Sequence, residues 1–234
     1  YYKVLGITDY QMELALRDPN NMAKYHGDEQ DWKDAEQMTI DAMEKSGVPY
    51  TVVNEGAAFY GPKMDFQIKS SIGRMFTAST NQLDLFMGKQ FDLEYTDSDG
   101  KKKVPAIIHR APLGTHERFV GFLIEHFAGA FPLWLSPVQV KIIPIAEAHQ
   151  DCARNAVKKL KAAGLRVEID DSNESLGKRI RETKMAKIPY TIIIGDKDIE
   201  ADMVTLESRK ESIGQKSIEE VVARLVEERD SRSL

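Results

Sequence analysis

The sequence predicts an α/β protein in two parts: an α+β first domain on a mainly antiparallel sheet, and a second α/β domain with a mixed sheet. Three observations carry this. Residues 64–69, "MDFQIK", alternate Met64, Phe66 and Ile68 with Asp65, Gln67 and Lys69, the two-residue period of a half-buried strand. After Pro137, buried-strand patterns alternate with helical ones, the rhythm of a sheet with helices packed on it. Between the two lies "AGAFPLWLSP", a Pro-bracketed apolar connector, which divides the chain into expected domains of residues 1–135 and 136–234. With 234 residues, each can bury a core of its own.

The elements follow in order. "YYKVLGITDYQMELALRD" reads as a strand whose partners lie upstream, and its start in mid-pattern without Met reads as the beginning of a piece of a longer protein. Trp32, Ala35, Thr39, Ala42 and Met43 mark the inner face of a helix in "DEQDWKDAEQMTIDAMEKSG", which Gly47 closes. "VPYTVV" is the next strand. "SSIG" turns "MDFQIK" back into "RMFTASTNQLDLF", where Phe76, Ala78, Thr80, Gln82 and Asp84 share a face that turns small or polar where a core would need bulk. Such a face meets ligand or solvent. "FDLEYT" and "KVPAIIHRA" follow as strands, joined by "DSDGKK" with its Asp-Gly hairpin signal. The next helix places Phe119, Phe122, Leu123, His126 and Phe127 on one face, with Thr115 as N-cap.

In the second part, "VQVKIIPI" is a buried strand, "EAHQDCARNAVKKLKAAG" a helix ended by Gly164, and "LRVEID" a strand. "ESLGKRIRETKMAK" is a basic helix carrying Lys178, Arg179, Arg181 and Lys184, with Lys187 just beyond. "IPYTIIIG" and "MVTLESR" are strands. "SIEEVVARLVEERDSRSL" closes the chain as a helix, with Ser217 and Glu220 in capping-box positions.

A hydrophobic content of 42%, a charged content of 29% and no apolar run long enough to span a bilayer describe an ordinary globular chain and exclude a membrane-spanning one. The single cysteine, Cys152, forms no internal disulfide and reads as a small helix residue. With no secretory pattern at the start, it favours a reducing, cytoplasmic compartment. The net charge of −5 argues against a non-specific nucleic-acid coat protein. Residues 137–234 carry 18 Lys and Arg against 18 Asp and Glu, so the deficit lies in the first part and nucleic-acid contact must come from local clustering.

Neither a P-loop nor a Gly-x-Gly-x-x-Gly loop occurs, which removes the ordinary nucleotide-binding readings. "AFYGPK" joins the hydroxyl of Tyr60 to a stiff Gly-Pro turn and the cation Lys63. Arg118 stands in the first turn of its helix, where the partial positive charge of the helix disfavours a cation and a capping box would place Glu or Gln. A bound anion would resolve that conflict.

Four blocks, "EGAAFYGPKMDF", "STNQLDL", "HRAPLGTHERFVGFLIEHFAGAFPLWLSPVQV" and "IPYTIIIGDKDIE", together resemble the threonyl-tRNA synthetase family, class II aminoacyl-tRNA synthetases of the subclass that includes the prolyl, histidyl and glycyl enzymes. The resemblance runs over the whole chain. It implies a class II fold for the first domain, an anticodon-binding fold for the second, and ligation of threonine to tRNA(Thr) with ATP and Mg²⁺. "GTHERF" is similar to class II motif 3, whose Arg engages ATP, so Arg118, with Thr115 beside the nucleotide, takes that position. His109 matches the third ligand of the family's catalytic Zn²⁺, which binds threonine through its amino and hydroxyl groups. A lone strand-end His would otherwise read as a satisfied structural residue.

The resemblance also implies that Tyr60 faces the threonine, that Lys63 adds positive charge near the pocket, and that Thr80 and Gln82 line it. At Thr77 and Ala78 many members have Gln and Cys, a departure that removes one family contact. His116 and His126 are helix residues. Asn173, Arg181 and Lys178 are the expected anticodon contacts, although Leu206 and Glu207 occupy a strand where relatives often have Arg. The family's other zinc ligands (a Cys and a His), motif 2 and the motif 1 element of the homodimer lie upstream, and the chain alone is expected to be inactive. The alternatives are a non-catalytic tRNA-binding paralogue and another enzyme of the subclass, prolyl or histidyl in type.

Overall fold

The computed structural model describes all residues from Tyr1 to Leu234. It divides into two compact units, one made mainly of Ile7–His126 and the other of Phe127–Leu234.

The first unit is built on a five-stranded sheet from β1 (Tyr10–Leu16), β2 (Tyr50–Asn54), β3 (Lys63–Lys69), β4 (Met75–Asp84) and β7 (Ile107–Ala111), in the order β2-β1-β3-β4-β7. The short β5 (Tyr95–Thr96) and β6 (Lys102–Lys103) form a separate hairpin around the Asp-Gly turn, so "FDLEYT" does not join the main sheet as expected. Its first residues lie instead beside the one-turn helix α2 (Met87–Gln90). The opening stretch also differs from expectation. Tyr2–Leu5 is a 3-10 turn, and the strand that follows pairs with elements downstream of it: β1 runs parallel to β2 and antiparallel to β3. Apolar alternation marks a strand but carries no information on which side of it, in sequence, the partners lie.

Helix α1 (Glu29–Ser46) ends at Gly47, which has φ +66. It buries Trp32, Ala35, Thr39 and Met43; Ala42, expected on the same face, is exposed. Met43 and Ile40 pack with Met12 and Leu14 of β1 and with Met64 and Phe66 of β3. Helix α3 (His116–His126) buries Phe119, Phe122 and Leu123, and Phe122 lies 5.3 Å, centroid to centroid, from Phe76 of β4.

The expected shared face of β4 is broken by a bulge. Ser79 pairs with Phe66 while Thr77 pairs with Gln67, which leaves Ala78 as the extra residue. The inserted residue flips the alternation, so Phe76 joins the face of Ile68 and Phe66, and Thr77 takes its place beside Thr80, Gln82 and Asp84. The polar face therefore consists of Glu13 on β1, Lys63, Asp65 and Gln67 on β3, Thr77, Thr80, Gln82 and Asp84 on β4, and His109 on β7.

The second unit contains β8 (Val140–Pro144), α4 (Gln150–Ala162), β9 (Val167–Ile169), α5 (Leu176–Met185), β10 (Tyr190–Ile194), α6 (Asp196–Glu200), β11 (Val204–Ser208), β12 (Ser212–Lys216) and α7 (Ile218–Asp230). Its sheet order is β12-β11-β10-β8-β9, with β8 parallel to β9 and β10 and the other pairs antiparallel, so the sheet is mixed as expected. Ile142, Ile192, Ile194 and Leu206 pack with Leu160 of α4 and Val221 and Leu225 of α7, all at 0% exposure. Gly164, with φ +78, follows the last turn of α4. At α7 the Ser217 hydroxyl accepts from the Glu220 amide (3.2 Å) and the Glu220 carboxylate accepts from the Ser217 amide (2.9 Å), the predicted reciprocal cap.

Candidate active site

The Gly-Pro turn carries Tyr60 onto the polar face. A Cβ on Gly61 would lie 1.8 Å from the Leu83 carbonyl oxygen, so only glycine lets this turn approach β4. The Tyr60 hydroxyl donates to Gln82 Oε1, and Gln82 Nε2 donates to the Thr80 hydroxyl (3.3 Å). Gln82 is the register partner of both Lys63 and His109. The Tyr60 ring lies 4.8 Å from the His109 ring at an interplanar angle of 35°. Burial, and then the charge of Asp84, push the Tyr60 hydroxyl above its ordinary pKa, which keeps it a neutral donor.

Lys63 Nζ donates to Asp65 Oδ2 at 3.0 Å. The carboxylate, two positions along the chain on the same strand face, is buried and holds the ammonium in place. The other carboxylate oxygen, Asp65 Oδ1, is buried without a partner and is an open acceptor on this face. Further along, Gln67 Nε2 bridges Glu13 (2.8 Å) and the Thr77 hydroxyl (2.9 Å).

His109 Nε2 meets Asp84 Oδ2 at 2.7 Å, and no hydrogen bond occupies Nδ1. The ring is 40% exposed and the carboxylate fully buried. An oriented imidazole with one free nitrogen fits a single zinc-ligand position. No group of three or more His, Cys, Asp and Glu residues gathers here to hold a metal, so further donors would have to come from outside this chain.

Thr115 and Arg118 sit apart from this cluster. Thr115 caps α3: its carbonyl accepts from the Phe119 amide (3.1 Å) and its hydroxyl from the Arg118 amide (3.4 Å). The Arg118 guanidinium lies 5.8 Å from the centroid of Phe76, a residue of the opposite face, in a cation–π contact with no carboxylate partner. The helix start is tied to the bulge in β4, because the Ser79 hydroxyl donates to the Pro112 carbonyl and a Cβ on Gly114 would sit 3.4 Å from the Ala78 carbonyl.

In the second unit the five cations of the basic segment separate. Arg179, a cation of the basic helix, is 4% exposed: its guanidinium donates to the Pro144 carbonyl (2.8 Å) and the Asp170 carbonyl and pairs with the Asp170 carboxylate (3.2 Å). Lys178 is held by Glu174 (2.6 Å), and Lys187 donates to the Ala128 carbonyl. Arg181, Lys184 and Asn173 are exposed. Leu206 is fully buried, and Glu207 sits at a register shift between β11 and β12.

Two residues that the sequence reading passed over organise the loops after β8 and β10. Buried His149 accepts from the Ala146 amide at Nδ1 (3.0 Å) and meets Asp196 at Nε2 (2.9 Å), while buried Asp198 accepts from the Gly195 amide, Thr205 and Gln215. An acidic residue three positions after Gly195 is the capping-box spacing, a legible signal; the long-range partners were not.

Residues 1–127 match the tRNA synthetase class II core domain (G, H, P, S and T), and residues 139–228 the anticodon binding domain. The chain belongs to the class II tRNA synthetase core family. This synthetase chain is 44% identical over its whole length to a threonine–tRNA ligase of Caldanaerobacter subterraneus subsp. tengcongensis, and 46% identical over 99% of its length to one of Clostridium tetani. It spans 36% of the length of each. Its fold superposes on a threonyl-tRNA synthetase RNA-binding domain structure from Cryptosporidium parvum with a TM-score of 0.86 and 31% identity, covering 97% of this chain and 56% of that one. No helix is long and apolar enough to cross a membrane.

Proposed function

We propose that this chain is part of a cytoplasmic threonine–tRNA ligase, in which threonine is activated with ATP to the adenylate and then esterified to tRNA(Thr). The supporting observation is its identity of 44–46% to threonine–tRNA ligases along its full length, and the polar sheet face gives that reading a chemical form. Tyr60, Thr80 and Gln82 make a connected row of donors and acceptors for a small hydroxylated amino acid. The Lys63–Asp65 pair supplies a fixed ammonium and an open acceptor beside it.

His109 is the residue of this chain that would hold Zn²⁺, through Nδ1. Bound there, the metal would take the threonine amino and hydroxyl groups, which rejects valine far better than an apolar pocket can. Thr115 and Arg118 form the nucleotide end, where ATP arrives with Mg²⁺; Arg118 reaches it by turning off Phe76 toward the phosphates. Residues 1–135 supply the catalytic-domain portion and residues 136–234 the anticodon-binding domain. In the latter, Asn173, Arg181 and Lys178 contact the anticodon, with Lys178 leaving Glu174 to do so. The intact ligase is a homodimer, and this chain, with one zinc ligand, performs no threonine-dependent pyrophosphate exchange by itself.

The decisive experiment measures binding of the chain to tRNA(Thr) and to the same tRNA with an altered anticodon at fixed salt. Discrimination that Arg181→Ala reduces supports the ligase reading. Equal binding of both tRNAs means that the segment only holds phosphates and favours the non-catalytic paralogue.

A further inference from the structure

We propose that Asp84 is the positioning residue of the substrate face: its carboxylate fixes His109 as the Nε2–H tautomer and leaves Nδ1 as a lone pair available to a ligand. The proposal rests on the preceding reading for what Nδ1 would contact, and is independent of it for where the proton sits.

The two oxygens of Asp84 do different things. Oδ1 accepts from the backbone amides of Phe86 (2.9 Å) and Met87 (2.8 Å), closing the start of α2, whereas Oδ2 faces His109 Nε2 at 2.7 Å. That turn alone does not account for the residue. An Asn or Ser oxygen can accept from the amide two residues on as Asp does, without placing a carboxylate at 0% exposure. A fully buried carboxylate is costly unless its remaining oxygen is paired, and His109 is the group that pairs it.

The arrangement is also rigid. A Cβ on Gly88 would lie 2.6 Å from the Pro105 carbonyl, so the α2 turn is seated tightly on the segment that leads into β7. The Tyr60 ring limits the imidazole on a second side. Because a carboxylate is an acceptor only, Nε2 must carry the hydrogen, and a neutral imidazole then has its lone pair at Nδ1. The sign of this assignment depends on one atom. In Asp84→Asn the two backbone amides still require an oxygen at the Oδ1 position, so the amide NH₂ is turned toward His109, Nε2 becomes the acceptor, and the proton moves to Nδ1. The logic is that of a triad aspartate, whose replacement by Asn keeps the shape and inverts the tautomer.

The test is the pair of imidazole ¹⁵N shifts of His109 in the chain labelled at histidine, recorded near pH 8.5, where an ordinary imidazole is neutral. His109→Gln identifies the signal. The expected result is Nε2–H in the wild type and Nδ1–H in Asp84→Asn. Nδ1–H or an even mixture in the wild type overturns the proposal, and so does Nε2–H in a folded Asp84→Asn variant. Should that variant fail to fold, the wild-type spectrum still decides. In a full-length synthetase into which the chain is built, Asp84→Asn should also weaken Zn²⁺ binding by about 10–100-fold. A switched tautomer with unchanged zinc affinity would overturn the zinc reading of His109 and leave the tautomer assignment standing.

Discussion

In the Phe127–Leu234 unit the sheet turns Ile142, Ile192, Ile194 and Leu206 against α4 and α7 and exposes none of them, whereas in the Ile7–His126 unit one sheet face carries Glu13, Lys63, Asp65, Gln67, Thr80, Gln82 and His109. The second unit uses its strands to make a core. The first uses one face for a core with α1 and gives the other to hydrogen-bonded polar groups. Their surfaces differ in the same direction: Met38, Val52, Ile72, Phe91, Ile108 and Val120 of the first unit are large apolar side chains at more than half exposure, against Met185 and Leu234 of the second. A polar sheet face with fixed donors and acceptors adds little to stability, because each buried polar group must first recover its hydration. Substitutions should therefore harm stability most in the second unit and the site most in the first.

The sharpest way to break this comparison lies within a single helix. Arg179→Ala removes the cation from a largely buried ion pair and leaves the Pro144 and Asp170 carbonyls without its donors, although Asp170 Oδ1 keeps its bonds from Ser172, so the unfolding free energy of the chain in urea should fall by about 3 kcal/mol. Arg181→Ala, two residues along and exposed, should change it by no more than about 0.5 kcal/mol. Comparable losses for the two would show that burial of Arg179 is not what holds α5 to the sheet. The counterpart in the first unit is Gly61→Ala. Its methyl group would press on the Leu83 carbonyl, and overpacking of this kind costs about 1–3 kcal/mol. The displaced turn should also expose the Tyr60 hydroxyl and move it from Asp84, detectable as a Tyr60 titration moved back toward that of an ordinary tyrosine. An unchanged Tyr60 titration would mean that the turn does not position the ring.

The same division governs what the sequence made legible. Strands β3, β8 and β10 and the capped ends of α1, α4 and α7 follow from local patterns, and local patterns survive folding. The bulge at Ala78 did not, because an inserted residue is defined by its partner strand, and it exchanged Thr77 for Phe76 on the polar face. Arg179 looked like its neighbours Lys178 and Arg181 because charge in sequence does not reveal a carbonyl pair waiting in the fold. Asp84 was legible as part of the polar face but not as the partner of His109, 25 residues away. Roles that depend on long-range pairing were the part that one-dimensional periodicity could not carry.

The smallest expected effect tests whether the closed core of the second unit also controls its buried polar groups. Tyr190 is buried at the start of β10 and donates to Glu228 on α7 at 2.6 Å. Burial, followed by the hydrogen bond to Glu228 and its charge, pushes the phenol up to about 12. An unfolded tyrosine titrates near 10, so above that pH the folded state retains a proton that the unfolded state has lost. The stabilisation due to this group is therefore complete below about pH 10 and disappears as pH rises through 12. Tyr190→Phe abolishes both the bond and the titration. At pH 8 it should be less stable than the wild type by about 1 kcal/mol, a typical net value for one hydrogen bond. The gap should close as pH approaches 12, with the other titrating groups common to both proteins cancelling in the difference. A gap that stays constant from pH 8 to 12 would mean that Tyr190 ionises as freely in the folded chain as in water, and that the contact between β10 and α7 is not closed.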